Sequence, residues 1–330
     1  MFTLFRNRKE LQRLARQPVS ENYHQRIKYL ANVDMPIDFL LAGELAQIQT
    51  FGIPSISRIL HNTRLYERQG TKRLDDTRAI LTECMTDTVH SERGQAMVER
   101  LNFIHSHYDI RNEDYLYTLA LFMVEPVRWC RTFGYRPLTE AEKQSLYLEF
   151  RDLGRAMNID NIPGDYAAME RWYLSYRAEH LACDPANGAV TEGLIEGMVG
   201  MFPRRLQPLL RPLLRRAVLV LINDDALLQA LGIKPPARTT RWLIFAMMKL
   251  RAASMKYLNI WQLRPFEGSF IQRYYASYPG GYQTQCLGPE KIIRRFQPSV
   301  ATTEAQPVAE DSVAEAVVAR CPAGHGHTSS

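Results

Sequence analysis

The stretch VERLNFIH (Val98 to His105) places a histidine on the apolar face of a predicted helix. At about 100° per residue, Val98 and Leu101 lie within about 40° of the direction of His105, so the three side chains share one face. The periodic apolar face of an amphipathic helix packs against other elements of the fold. The stretch therefore predicts a packed helix whose imidazole points into the protein.

The same 3.6-residue periodicity continues along most of the chain, without strand-like alternation of apolar and polar residues. Cap signals separate the segments: Ser91 precedes the helix with the histidine, Asn112 and Asp165 begin later helices, and Thr139 with Glu142 has the spacing of a capping box. These patterns predict an all-α fold in a single multi-helix domain. The helices are expected near residues 7–17, 21–32, 37–50, 55–61, 72–86, 92–108, 113–131, 140–156, 166–181, 188–200, 205–222, 224–231, 239–258 and 268–276.

Composition and charge narrow the class of protein. The chain has 330 residues, of which 46% are hydrophobic, enough to bury a sizeable core. The formal net charge is +6, which is modest beside the clustered basic stripes of nucleic-acid-binding proteins, so we expect no nucleic-acid partner. From Pro298 onward the sequence is rich in Ala, Pro, Ser and Glu and has no aromatic residue, which predicts a disordered tail over 298–330.

The first residues, MFTLFRNRKELQRLARQP, lack the apolar core and cleavage site of a signal peptide. The longest apolar run, Tyr115 to Val124, is well short of the ~20 residues that span a bilayer. We therefore expect a cytoplasmic protein or one associated peripherally with an internal membrane. The segment from Arg204 to Ile222 interleaves arginine with leucine and fits either an interfacial membrane helix or a packed helix with solvated arginines.

Two interpretations of His105 remain open from the residues alone. A core histidine would be hydrogen-bonded to a carbonyl or carboxylate. Alternatively, a neutral imidazole on an apolar wall suits an iron porphyrin. His107 cannot share an ion with His105, because positions i and i+2 of a helix diverge by about 200°. A metal bound by His105 would then take its other ligands from a macrocycle.

A second helix carries polar residues on its apolar side. In KRLDDTRAILTECM (Lys72 to Met85), Arg73 stands one turn before Thr77 on the face of the apolar stripe. The Thr77 hydroxyl can bond back to its own helix while Arg73 extends to solvent. The pair can also hydrogen-bond to a polar ligand in an otherwise dry pocket, and the sequence leaves both interpretations open.

Five ordered blocks of sequence belong together: QTFGIPSIS (49–57), RLNFIHSHYDI (100–110), NEDYLYTLALFMVEPVRW (112–129), YRPLTEAEK (135–143) and WYLSYRAEHL (172–181). They resemble the MpaB-type oxygenase family, which shares its catalytic domain with bacterial rubber oxygenases. The resemblance implies a helical catalytic domain of the rubber oxygenase type, with a globin-like core, over residues 35–297. Residues 1–34 then form an N-terminal helical extension, and 298–330 the tail.

The resemblance also implies a b-type haem held by one axial histidine, and His105 matches that iron ligand. Rubber oxygenases place an arginine and a threonine, spaced Arg-x-x-x-Thr, beside the haem, and Arg73 and Thr77 match them. The lysine that precedes that threonine in rubber oxygenases, and can cap the iron, is Asp76 here. No residue of this chain matches the carboxylate proposed as the base in rubber cleavage.

Other residues are candidates for supporting roles at the haem. Arg128, or alternatively Arg131, is expected to pair with the haem propionates. A sixth iron ligand at rest would come from His61, Lys72 or His107. The apolar segment WLIFAMMKL (Trp242 to Leu250) is expected either to wall a substrate tunnel or to belong to the ordinary core.

The function that the resemblance implies is a haem b-dependent oxygenase of secondary metabolism. It would use dioxygen to cleave or oxidise a C=C bond of an apolar isoprenoid or prenylated substrate. The alternative is a haem-free helical carrier of an apolar ligand, and a haem peroxidase or monooxygenase is a third possibility.

Overall fold

A computed structural model describes residues 9–258 and 275–293. Within these residues the protein is all-α, with fourteen α-helices and no β-strand, as the sequence predicts. The predicted tail at 298–330 lies outside the described residues, as do residues 268–274 of the helix predicted near 268–276. The helices are α1 (Lys9–Ala15), α2 (Val19–Tyr29), α3 (Pro36–Phe51), α4 (Pro54–Thr63), α5 (Leu65–Asp87), α6 (Glu92–His105), α7 (Asn112–Phe133), α8 (Glu140–Ala156), α9 (Tyr166–His180), α10 (Pro185–Gly200), α11 (Gln207–Ile222), α12 (Asp225–Ala230), α13 (Arg238–Tyr257) and α14 (Glu290–Ile293).

Local cap signals determine where several helices begin. The Ser91 hydroxyl accepts a hydrogen bond from the Gly94 amide at 2.9 Å, which starts α6. Thr139 and Glu142 form the predicted capping box of α8, and the Asp165 side chain caps α9. Each cap satisfies amides that would otherwise lack a partner in the first turn. These predicted helix starts are confirmed.

The core forms around α7, whose side chains are buried over most of its circumference. A helix that is apolar on nearly all sides must be surrounded by other helices. Helices α3, α8 and α9 pack against it. The fully buried side chains of α7 include Tyr117, Ala120, Leu121, Met123 and Val124.

Helices α5 and α10 approach each other closely through glycines. A β-carbon on Gly197 would lie 2.6 Å from the Gly70 carbonyl carbon, and one on Gly193 would lie 2.8 Å from the backbone of Tyr66. Only glycine permits this separation, because any side chain would collide with the facing backbone. Next to Gly70, α5 bends at Gln69, whose backbone is not helical. The bend and the close packing set the direction of the following turns, which carry Arg73 and Thr77.

The first two helices pack on the domain. The Tyr23 hydroxyl donates to Asp152 at 2.7 Å, and the His24 ring lies 3.0 Å from Glu149. Ile27 is fully buried in the common core. The predicted extension (1–34) is therefore in contact with the main body over its described residues, and its boundary at residue 34 stays a prediction.

Helix α13 lies at the periphery. Trp242 is 73% exposed and Leu250 is also 73% exposed, whereas Phe245 and Met248 on the other side of the helix pack against the core. The segment from Trp242 to Leu250 therefore joins the core on one side only, through Phe245 and Met248, whereas Trp242 and Leu250 point outward.

No helix among the described residues combines the length and apolar character needed to cross a membrane.

A buried carboxylate ties α5 to the segment 275–293. Asp76 accepts hydrogen bonds from the Lys72 ammonium at 2.9 Å and from the Gly288 amide at 3.1 Å. The Tyr278 hydroxyl also donates to this carboxylate, and Lys72 donates to the Gly288 carbonyl at 2.8 Å. Nearby, the fully buried Arg100 of α6 donates to the Leu287 carbonyl. The segment 275–293 is thus held on α5 and α6 by charged groups that are withdrawn from water.

Replacing Asp76 by alanine is expected to lower the free energy of unfolding by about 3–5 kcal/mol, because the buried Lys72 ammonium loses its counterion. Urea unfolding followed by circular dichroism measures the change. In the control, Asp160→Ala removes an exposed carboxylate and should change stability by less than about 0.5 kcal/mol. Equal losses in the two variants would contradict the role given to Asp76.

Candidate active site

His105 is the last residue of α6, which ends earlier than the predicted 92–108. The Ser106 hydroxyl donates to the Phe103 carbonyl at 2.8 Å, and the Tyr108 amide donates to the His105 carbonyl at 3.0 Å. These bonds turn the chain away from the helix axis. His107 is consequently exposed, with its Nδ1 2.8 Å from the Phe103 carbonyl.

An apolar cavity opens beside His105. It contains about 1070 Å³ of space that protein atoms do not occupy, counting its open mouth. Side chains from α3 to α8 line it, and most are aliphatic or aromatic. The apolar lining includes Ile56, Leu60, Ile80, Leu101, Phe122 and Phe150. A concave, mostly apolar space with a few polar groups is typical of a small-molecule site.

The His105 imidazole has no hydrogen-bond partner in the part of the chain that the structure describes, and its buried Nδ1 is unsatisfied. Its ring packs beside Tyr115, with 5.3 Å between the ring centroids. Burial, with a smaller effect from the nearby charge of Arg73, lowers the pKa of His105 to about 4. The ring is therefore neutral at pH 7 and retains a lone pair. The hydrogen-bonded core histidine that the sequence left open is not what the structure contains.

Arg73 and Thr77 line the same cavity as His105. The Arg73 guanidinium donates to the Thr77 hydroxyl, and that hydroxyl donates to the Arg73 carbonyl at 3.0 Å. The back-bond to the helix is therefore present, but the arginine turns toward the cavity. Its guanidinium carbon lies 5.4 Å from the centroid of the Tyr66 ring. Among the described residues no carboxylate pairs with Arg73, so the cavity wall carries an uncompensated cation.

Tyr66 and Gln47 also belong to the site, although no pattern in the sequence marked them. The Tyr66 hydroxyl donates to the Gln47 side-chain carbonyl at 3.0 Å, and both residues line the cavity. Burial raises the pKa of Tyr66, so it is a hydrogen-bond donor at neutral pH. Helical spacing could not have identified Tyr66, because the predicted helix begins at residue 72 and α5 bends at Gln69, between Tyr66 and Arg73.

Asp114 is a carboxylate in the cavity lining, but its oxygens are already engaged. It accepts from the Ser55 hydroxyl at 2.9 Å, from the Tyr176 hydroxyl at 2.8 Å and from the Arg111 guanidinium at 3.0 Å. A base needs a free lone pair directed at its proton. Asp114 therefore fixes α7 against α4 and α9, and it does not supply the base for which the sequence has no counterpart.

Arg128 is not brought to the cavity. It pairs with Glu125 at 2.8 Å, and the Tyr173 hydroxyl donates to the same carboxylate at 2.8 Å. Arg128 does not line either cavity that contains His105, and Glu125, three residues before it, balances its charge; its pairing with a haem propionate stays a prediction. The alternative, Arg131, is exposed on the same helix.

The candidates for a sixth iron ligand are also engaged elsewhere. The His61 ring lies 2.6 Å from Glu67, and His107 is exposed. Lys72 does line a second cavity but is held by Asp76 and the Gly288 carbonyl.

This second cavity adjoins the first. It contains about 760 Å³ of unoccupied space, counting its mouth, and it shares His105 and Arg73 with the larger cavity. The two cavities therefore meet at the neutral imidazole of His105 and the guanidinium of Arg73.

Comparison with known proteins identifies the domain. Residues 38–253 match the family described as ER-bound oxygenase mpaB/B'/Rubber oxygenase, catalytic domain. The chain belongs to this family. The matched region of the oxygenase family includes α5 and α6, which carry Arg73, Thr77 and His105. The resemblance stated from the sequence blocks is confirmed.

Individual relatives agree with the family assignment. The chain is 28% identical over 250 residues to an ER-bound oxygenase mpaB' of Penicillium brevicompactum, covering 70% of this chain and 58% of that protein. It is 33% identical over 178 residues to an ER-bound oxygenase mpaB of the same organism, covering 48% of this chain and 45% of that protein. A third relative, an ER-bound oxygenase mpaB of Penicillium roqueforti, is 32% identical over 178 residues, covering 48% of this chain and 60% of that protein. The chain thus spans about half the length of the curated relatives it matches.

A third, smaller cavity touches the main one through Gln47 and Leu81, and it contains a buried carboxyl group, Glu44. Burial raises the pKa of Glu44 to about 7, against the opposing charge of Arg78. One carboxylate oxygen of Glu44 lies 3.1 Å from Arg78, and the other is buried without a partner. Asp75 also pairs with Arg78, at 2.8 Å, so this cation keeps a counterion when Glu44 is neutral.

We predict that Glu44→Gln becomes more stable relative to the parent protein as pH rises from 5 to 8. The unfolded carboxyl ionises near pH 4.5 and the folded one near 7, so the parent loses stability over that interval, by up to about 3 kcal/mol. Urea unfolding at several pH values checks this, with Glu179→Gln as an exposed control. A stability difference that does not vary with pH would contradict the raised pKa.

Proposed function

We propose that this member of the oxygenase family is a haem b-dependent oxygenase acting on a C=C bond of an apolar isoprenoid or prenylated substrate. The observation that carries the proposal is the neutral, unpartnered imidazole of His105 at the wall of an apolar cavity. A buried polar group without a partner costs about 1–3 kcal/mol, so such a group is expected to have a ligand.

The residues at the cavity fit a haem. His105 would bind the iron, since a neutral imidazole nitrogen is a common haem ligand. Arg73, which pairs with no described carboxylate, would be the cation beside the haem. The macrocycle and an apolar substrate would lie in the two adjoining cavities, which share His105 and Arg73. When bound, the haem supplies an iron that binds and activates dioxygen.

The chain's own residues would position the substrate and exclude water. The aliphatic and aromatic lining holds an apolar chain without hydrogen bonds and keeps water from the reacting bond. The Arg73 guanidinium, oriented by its bond to Thr77 and its contact with Tyr66, is placed to donate hydrogen bonds to oxygen on the product. In the balanced reaction one dioxygen adds across one C=C bond, and each carbon becomes a carbonyl.

The names of the relatives support the coarser part of this proposal, since each is called an oxygenase. The finer parts, namely the haem, the substrate class and the roles of His105, Arg73 and Thr77, are our proposals. The relatives are also called ER-bound, so we include peripheral contact with a membrane.

Protein purified from haem-supplemented cells is expected to show a Soret absorption band. His105→Gly should lose or shift the band, and added imidazole should restore it by replacing the missing ligand. His107→Ala, which alters an exposed histidine two residues away, should leave the band unchanged. Colourless parent protein would overturn the proposal in favour of the haem-free carrier.

Arg73→Met is expected to lower turnover per bound haem by roughly 10²-fold, the usual cost of removing one donor that stabilises developing oxygen charge. Thr77→Val should lower it less, because it only releases Arg73 from its orientation. Thr118→Val is the matched control, since Thr118 lines the same cavity but its hydroxyl is bonded to the Asp114 carbonyl. The readout is incorporation of labelled oxygen into the products, where two labelled carbonyls identify a dioxygenase. Full turnover by Arg73→Met would remove its assigned role.

A further inference from the structure

The outward face of α13 is apolar. Five large side chains on this helix are more than half exposed: Trp242 (73%), Leu243 (54%), Met247 (61%), Leu250 (73%) and Tyr257 (61%). On a helical wheel they lie within about 140° of one another. Ala252 and Met255, on the opposite side, are buried. The helix thus presents one apolar side to the core and a second to the outside.

Basic residues border this apolar face. Arg238, Lys249 and Lys256 are exposed and lie about 20–40° beyond Trp242 on the wheel. Helix α13 contains five basic residues and no acidic one. The two basic residues nearest the core pair with acidic groups of other elements, Arg241 with Asp225 and Arg251 with Asp38. The charge that α13 itself contributes beside the apolar face is therefore positive.

Helix α11 packs against α13 and also carries exposed apolar side chains next to basic residues. Leu209 is 66% exposed and Leu213 is 53% exposed, with Leu206 and Phe202 exposed just before the helix. Residues 203–222 contain five arginines and no acidic residue. Arg211 and Arg215 pair with Glu196 and Glu192 of α10, whereas Arg216 lies on the apolar side and is exposed.

The positive charge beside this apolar surface indicates which partner binds it. In a symmetric dimer the same patch meets itself, so a second copy would bring two positively charged borders together. An anionic bilayer has the opposite charge and an apolar interior. Tryptophan and tyrosine favour the interface between lipid and water, and lysine and arginine extend toward headgroups while their stems cover apolar surface. A helix of this kind lies in the plane of the interface.

We propose that the outward face of α13, with the adjoining exposed side chains of α11, docks this protein on an anionic lipid surface. Docking would deliver apolar substrates from the bilayer, and that consequence rests on the proposed function. The docking itself needs only the exposed residues of the two helices.

Sedimentation with vesicles tests the proposal. The full chain is expected to bind vesicles of phosphatidylcholine with phosphatidylserine at low salt, and to bind more weakly at high salt or to phosphatidylcholine alone. The double variant Trp242→Ser/Leu250→Ser should lose at least 10-fold in partitioning, because it removes two large apolar groups from the contact. The single variant Leu174→Ser is the control, since Leu174 is 48% exposed on α9, outside the proposed surface. Circular dichroism verifies that both variants are folded.

A charge variant distinguishes electrostatic docking on anionic lipid from nonspecific apolar adsorption. Lys249→Gln/Lys256→Gln should weaken binding to the anionic vesicles and leave the weak binding to phosphatidylcholine unchanged. Absence of vesicle binding by the parent, or equal binding by Trp242→Ser/Leu250→Ser, would overturn the proposal. A parent dimer that the same double variant converts to monomer, without vesicle binding, would assign the face to a second copy instead. Vesicle binding is scored by total protein and the haem proposal by absorption, so either can fail without the other.

Discussion

The apolar packing around the His105 imidazole, which buries its Nδ1, is the constraint on which the site depends. His105 ends a helix, where a positive charge normally gains about 0.3–1 kcal/mol from the helix dipole. Burial and Arg73 act in the opposite direction and lower its pKa from 6.5 to about 4, a difference worth about 3 kcal/mol. Desolvation is the larger effect, so the imidazole stays neutral. A neutral ring is the form that can bind a metal.

The carboxylates that line the cavities beside this ring are already engaged. Asp76 is bonded to Lys72, Tyr278 and Gly288, and Asp114 is bonded to Ser55, Tyr176 and Arg111. Both line a cavity that contains His105, but their oxygens hold helices or segments together. The resemblance matches Asp76 to a lysine of rubber oxygenases. In this protein the Asp76 carboxylate is bonded to Lys72 and to Tyr278 and Gly288 of the segment 275–293.

Apolar surface has two uses in this molecule. Inside, it encloses a space in which the few polar groups, His105, Arg73 and Thr77, interact without competition from water. Outside, on α13, it is bordered by cations and faces away from the core. An apolar ligand would meet both surfaces, first at the bilayer and then in the cavity. The two surfaces belong to different helices, so changes at one can be made without disturbing the other.

The all-α class and most helix starts could be predicted from the sequence, because capping and periodicity depend on residues within one or two turns of each other. Ser91, Thr139 and Asp165 are such local signals. The resemblance to a known family added the grouping of His105 with Arg73 and Thr77, which the structure places on one cavity. Tertiary structure alone decided that Tyr66 bonds to Gln47 and that Trp242 and Leu250 face outward. Periodicity states which side chains share a face of a helix. Which face turns to the core depends on the helices packed around it, and those contacts join residues far apart in the chain.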